Sequence, residues 1–214
     1  MKIATLSSLD SLPYFTLEAV KQLIGDESTA AGTIQTLVYR WMKAGWVIPL
    51  KKGIYMPRRF YELHRADADF SPAISSILIP QSYVSLEFIL QRNGILTDVT
   101  YPISAVTFKN TRLIENKLGS FTYHHIKEKL YYGFSVESYS GISFAQATLA
   151  KALFDYLYLR PWIEKSESIA SELRLNLDEF SIKDQVEFSD YVGDSKSRKM
   201  DRILKNLERT LWRH

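Results

Sequence analysis

The sequence predicts an α+β fold: an N-terminal winged helix-turn-helix, then an α+β C-terminal domain with a helical tail. Three observations carry this. Two short helical patterns, over residues 16–24 and 28–44, are joined by a Gly-containing turn. A basic hairpin pattern follows them at once, over residues 46–56. Further on, a helix, three or four β-rich runs, a second helix and a polar helical tail come in that order.

Residues 2–10 predict a first short helix with Ile3, Leu6 and Leu9 inward, broken by Leu12-Pro13-Tyr14. Thr16 is the next expected N-cap, with Phe15 and Val20 spaced as a hydrophobic staple. Leu17, Val20, Leu23 and Ile24 make its apolar stripe, and Gly25-Asp26-Glu27 the turn. In the second helix Ile34, Leu37, Val38 and Trp41 fall at i, i+3, i+4 and i+7. Thr29, Thr33, Thr36, Arg40 and Lys43 form the opposite stripe, hydroxylic and then basic. Ser28 reads as N-cap and Gly45 as the stop. Gly32 costs about 1 kcal/mol relative to Ala inside a helix. Either the helix begins at Thr33, or Gly32 permits close approach to a phosphate. The hairpin is Trp46-Val47-Ile48, a Lys51-Lys52-Gly53 turn, and Ile54-Tyr55-Met56.

Residues 29–60 contain no Asp or Glu and six basic residues, Arg40, Lys43, Lys51, Lys52, Arg58 and Arg59. The chain nets +3, so the remainder nets 3 − 6 = −3. A one-sign block inside a balanced chain points to a polyanionic partner. On a helix followed by a basic hairpin, that partner is double-stranded DNA. A solvated basic face is the plainer reading; the missing acids and the basic hairpin tip favour DNA. Thr33, Gln35, Thr36 and Arg40 are expected at the major groove, with Tyr39 and Lys43 toward the backbone. Lys51 and Lys52 are expected on phosphate, and Arg58 completes the basic set.

Residues 66–80 read as a linker entering the second domain through a short helix. The expected domains are residues 1–62 and 66–214, with separable functions. In the second, residues 83–96 are the most distinctive stretch: Ser85 is expected to cap a helix with Leu86, Ile89 and Leu90 inward and an Asn93-Gly94 stop. Strands are expected at 103–108, 121–126, 131–139 and 141–145, then a helix over 146–159 ended by Pro161. Residues 166–175, 178–194 and the segment from Lys196 predict further helix. Charge is polarised there. Residues 164–194 hold nine acids against three bases, and residues 196–214 seven bases against two acids.

Zero Cys excludes disulfides, thiolate metal sites and Cys nucleophiles. The apolar runs are too short for a membrane span, and the first fifteen residues lack a signal-peptide core. A cytoplasmic location is the expectation. There is no Walker loop, Rossmann fingerprint or His-Glu-x-x-His, so neither cofactor nor metal is expected. His124 and His125, adjacent on a strand, point to opposite faces and cannot share one metal. Ser85 with Glu87 reads as helix cap and first-turn acid, and Lys151 with Asp155 as an i, i+4 pair.

Three stretches together resemble one family. Lys52-Gly53-Ile54-Tyr55 is similar to its basic-Gly-Ile-Tyr wing. Tyr83-Val84-Ser85-Leu86-Glu87, with Asn93-Gly94-Ile95, is similar to its Tyr-x-Ser-x-Glu … Gly-Leu helix. Ala145, with Lys151-Ala152-Leu153-Phe154-Asp155, is similar to its Ala … Glu-Lys-Ala-Leu-x-Asp helix. The chain resembles the AbiEi family, antitoxins and transcriptional repressors of type IV (abortive infection) toxin–antitoxin operons. Ala150 stands where that family usually has Glu, and Phe88 where a small residue is common. The resemblance implies an operator-binding autorepressor with no enzymatic activity. Its second domain, marked by Ser85, Glu87, Lys151 and Asp155, would counter a nucleotidyltransferase-like toxin without requiring direct contact. A small-molecule sensor or enzyme docked by a winged helix is the alternative. A deep pocket with converging polar groups in residues 66–160 would favour it.

Overall fold

The computed structural model describes residues 7–24, 30–97, 102–161, 173–178, 180–210 and 212. Helices and sheets are mixed in the α+β manner. The chain runs β1 (Phe15–Thr16), α1 (Leu17–Ile24), α2 (Ala31–Lys43), β2 (Val47–Lys51), β3 (Ile54–Pro57) and α3 (Arg58–His64). Then come α4 (Phe70–Leu78), β4 (Tyr83–Val84), α5 (Leu86–Arg92), β5 (Ile103–Thr107), β6 (Arg112–Asn116) and β7 (Gly119–His125). The last elements are β8 (Phe134–Tyr139), β9 (Ile142–Ala147), α6 (Leu149–Tyr158), α7 (Ile182–Ser195) and α8 (Arg198–Thr210).

Among the described residues two sheets form. The small one has the antiparallel order β1-β3-β2. Its β1 was not expected from the sequence. Phe15 pairs with Tyr55 across it and stacks on that ring, while the Thr16 hydroxyl accepts from the Ala19 amide to cap α1. Val20, Ile34, Val38, Trp41 and Val47 close a first core with Phe15 and Leu9. The rest of the helix expected over residues 2–10, with Ile3 and Leu6, lies outside the described residues. So do the turn at residues 25–27, the Ser28 cap, Thr29, and most of the helix expected over 166–175.

The second sheet has six strands in the order β6-β7-β5-β4-β9-β8. Pairs β4–β9 and β5–β7 are parallel; the remaining pairs are antiparallel. Alternation along the strands sends neighbours to opposite faces. Ala105, Phe121, Tyr123, Ile142 and Phe144 pack with α4 on one face. Val106, Ile126 and Ala147 join α5, α6, α7 and α8 on the other.

Residues 66–80 are more than a linker. In α4, seven of the nine residues are buried, and Pro72 sits in its first turn, where no intrahelical donor is lost. Residues 83–84, just ahead of Ser85, form a strand, because both edges of that short segment are paired, to β5 and to β9. The core around α4 also takes in Leu50, Met56 and Phe60, so hairpin, α3 and second sheet share one apolar cluster.

Candidate functional site

Two arrangements stand out: an exposed face on α2 and a buried polar group around α6.

Helix α2 begins at Ala31, with Ala30 at the cap position and no side-chain cap bond. Space is open around Gly32, so no contact requires glycine there. At the far end the Trp46 amide donates to the Trp41 carbonyl and the Gly45 amide to that of Met42. With Gly45 at φ +77°, this is a Schellman stop. Ile34, Val38 and Trp41 are buried, which turns the opposite face outward. Thr33, Gln35, Thr36, Tyr39, Arg40 and Lys43 are all exposed. Thr36, Tyr39, Arg40 and Lys43 fall at i, i+3, i+4 and i+7, one ridge of a helix. The Lys43 ammonium lies 5.5 Å from the centre of the Tyr39 ring. The Thr36 hydroxyl donates back to the Gly32 carbonyl at 2.8 Å.

The hairpin separates its two lysines. Lys52 is exposed at the tip, next to Gly53 at φ +81°. Lys51 turns inward, and its ammonium donates to the carbonyls of Ile77 and Leu78 at 2.8 Å each. Those carbonyls are the negative end of α4, which attracts a cation. Burial, followed by repulsion from Lys109, pushes the Lys51 pKa down. Its expected phosphate contact is replaced by a contact inside the protein. Arg58 is also engaged: its Nε donates to the Gly45 carbonyl, and its guanidinium pairs with Glu62 at 3.1 Å.

The polar group around α6 brings three sequence-marked residues together. Lys151 and Asp155, one turn apart, sit with Nζ 2.8 Å from Oδ1. Oδ2 of Asp155 accepts from the Ser85 hydroxyl at 2.8 Å and the Tyr83 hydroxyl at 2.9 Å. Lys151 also donates to the Leu130 carbonyl at 2.9 Å. Four rings surround its ammonium, those of Tyr83, Tyr132, Phe154 and Tyr191, with centres 4.8–5.8 Å away. Thr148 starts the helix by accepting from the Lys151 amide. Ser85, Lys151 and Asp155 have no solvent exposure. Burial pushes the Lys151 pKa down and the Asp155 pKa up, each opposed by its partner. Such a centre holds charge in place and admits no solute. Glu87 lies apart, half-buried, paired with Arg160, whose guanidinium lies 3.7 Å from the Tyr156 ring centre.

Sequence reasoning named Ser85, Lys151 and Asp155, and Tyr83 within its motif, but missed that Tyr83 bonds Asp155 and that rings surround Lys151. A lysine and an aspartate one turn apart on an otherwise apolar helix were the available signal. Ser85 does not cap α5 with its side chain. Its carbonyl is tied by the Ser104 hydroxyl at 3.0 Å, and Leu86 beside it takes φ +59°, a strained value for a residue with a Cβ.

His124 is half-buried, and burial lowers its pKa. His125 is exposed, with Nδ1 3.1 Å from the Phe108 and Lys109 carbonyl oxygens. Among the described residues no group of three His, Cys, Asp or Glu could hold a metal, and no helix is long and apolar enough to cross a membrane. A cavity of about 230 Å³ opens between α7 and α8, lined by Ile182, Val186, Leu204, Glu208 and Trp212 among others. It lies away from residues 66–160. No known protein family matches the chain, and no curated protein matches it.

Proposed function

We propose that this protein is a DNA-binding autorepressor and antitoxin of a type IV toxin–antitoxin operon, acting in the cytoplasm against a nucleotidyltransferase-like toxin. The observation that carries the DNA half is the exposed ridge Thr36, Tyr39, Arg40 and Lys43, inside a 32-residue block without an acid. In this reading α1 and α2 are a helix-turn-helix, the β2–β3 hairpin is its wing, and α2 enters the major groove. Thr33, Gln35, Thr36 and Arg40 address base edges. Tyr39, Lys43 and Lys52 address phosphate. Lys51 and Arg58 fix the hairpin and the helix end instead, which keeps the wing and α2 in a constant relation.

The antitoxin half rests on the resemblance of residues 83–95 and 145–155 to the AbiEi family. Ser85, Lys151 and Asp155 form the scaffold of that domain, and Glu87 with Arg160 reaches its surface. We assign it no enzymatic step, since the Lys151–Asp155 centre is closed to solvent. The competing reading, a sensor or enzyme, would need a solute to reach such a group.

The test has two arms. The duplex immediately upstream of the gene should be retarded by the protein in a mobility-shift titration. Co-expression should restore growth to cells making the toxin encoded beside it. No retardation removes the repressor half; retardation without rescue removes the antitoxin half.

A further inference from the structure

The acid-free block is not the only basic feature on the surface. On α8, Arg198, Arg202, Lys205 and Arg209 fall at i, i+4, i+7 and i+11, and all four are exposed. That spacing puts them on one line along the helix. Met200, Ile203 and Leu207 are buried on the other side. The two acids of the helix, Asp201 and Glu208, sit off the line, on the flank that carries Leu204, and Glu208 lines the cavity with α7.

The helix is held firmly. Lys199 donates to the carbonyls of Tyr158 at 3.0 Å and Arg160 at 2.6 Å, closing the end of α6. Just beyond α8, Trp212 lies parallel to Phe180 with ring centres 5.5 Å apart. The line is therefore presented as a rigid array.

We infer that the outer face of α8 is a second contact surface for duplex DNA, binding phosphates of its backbone. This rests on the DNA-binding reading above. The line spans about 16 Å, the axial length of roughly five phosphates on one strand. Three of its four members are Arg, which bonds phosphate bidentately. The face carries no apolar or aromatic residue. A protein partner would call for an apolar centre, single strands for stacking rings, and a membrane surface for an apolar side. A duplex backbone needs none of these.

The experiment uses the full chain and fluorescently labelled duplexes, with affinity measured over a series of salt concentrations. The probes are the upstream duplex and a shuffled duplex of the same length. Replacing all four residues by Gln should lower the slope of log affinity against log salt by about 2–4, at about 0.9 per lost phosphate contact, on both duplexes. Circular dichroism checks that this variant is folded. Lys205→Gln alone should lower the slope by about 0.9 and does not depend on the quadruple variant folding. Arg→Lys at 198, 202 and 209 should keep the slope. If the wild type binds DNA and the Gln variants keep its slope, the inference fails while the repressor reading stands. Loss of toxin neutralisation with an unchanged slope overturns it too, and marks the face as a protein surface. If the wild type binds neither duplex, the DNA reading itself fails.

Discussion

The Lys151 ammonium and the Asp155 carboxylate meet at 2.8 Å inside α6, and neither side chain has any solvent exposure. A buried ion pair adds little relative to a well-packed apolar pair, but breaking one is expensive. Lys151→Met strands a carboxylate that already suffers from burial, and should destabilise the fold by about 3–5 kcal/mol. Asp155→Leu strands the ammonium and also the hydroxyls of Tyr83 and Ser85. The Lys151→Met/Asp155→Leu double variant should be more stable than the two single losses sum to, by about 1–3 kcal/mol. Urea unfolding measures all three. Strict additivity would show that the residues do not act as a pair.

Gly133 supports the same centre from outside. It has φ +84°, and a Cβ there would run into the Tyr191 hydroxyl. Tyr191 is one of the rings around Lys151 and donates to Glu187 at 2.6 Å. Gly133→Ala should lower stability by about 1–3 kcal/mol, from strain and displacement of Tyr191. In a Tyr191→Ala background the same change should cost less, since only the backbone strain remains. An equal cost in both backgrounds would remove the steric part of this explanation.

The two hairpin lysines should behave differently. Lys52→Ala should lower the salt slope of DNA binding by about 0.9 and leave stability unchanged. Lys51→Ala should leave the slope unchanged and destabilise the fold by about 1–2 kcal/mol, through loss of two charged hydrogen bonds to α4. The reverse pattern would put Lys51 at the phosphate and Lys52 in the frame.

A pH dependence belongs to α3 and β8. Hydrogen bonds from Tyr139 first, and then His64, hold the Asp67 carboxyl below the usual carboxylate range. With the folded value below the unfolded one, the stabilisation is fully present above the unfolded pKa. It is lost as pH falls through the folded pKa. Tyr139→Phe removes the largest cause. The difference in Tm between wild type and this variant should be widest near neutral pH and should shrink toward about pH 2. A difference that does not change with pH would mean that Tyr139 acts by packing alone.

Legibility followed the range of the interactions. The inward stripe of α2 and the stops at Gly45 and Gly53 are local, and the sequence displays them. So are the β-rich runs that become β5, β7, β8 and β9. Two-residue β4 is too short to show an alternating pattern; only its pairing with Ala105, Val106, Ala145 and Gln146 makes it a strand. Edge strand β6 is polar and largely exposed, so it lacks the apolar alternation that marks a strand. Asp67, Asp69 and Pro72 disguise how deeply the short helix expected there, α4, is buried. Lys51 and Lys52 are indistinguishable in sequence, and what separates them is the end of α4, 26 residues further on.

The most direct test of the account replaces Arg40, on the exposed ridge of α2, with Ala. Affinity for the duplex upstream of the gene, and for a shuffled duplex, is measured for wild type and Arg40→Ala at one fixed salt concentration. Loss of a guanine contact should weaken binding to the upstream duplex by about 1–3 kcal/mol, with a much smaller change on the shuffled one. Equal affinity of wild type and Arg40→Ala for the upstream duplex would contradict the placement of α2 in the major groove.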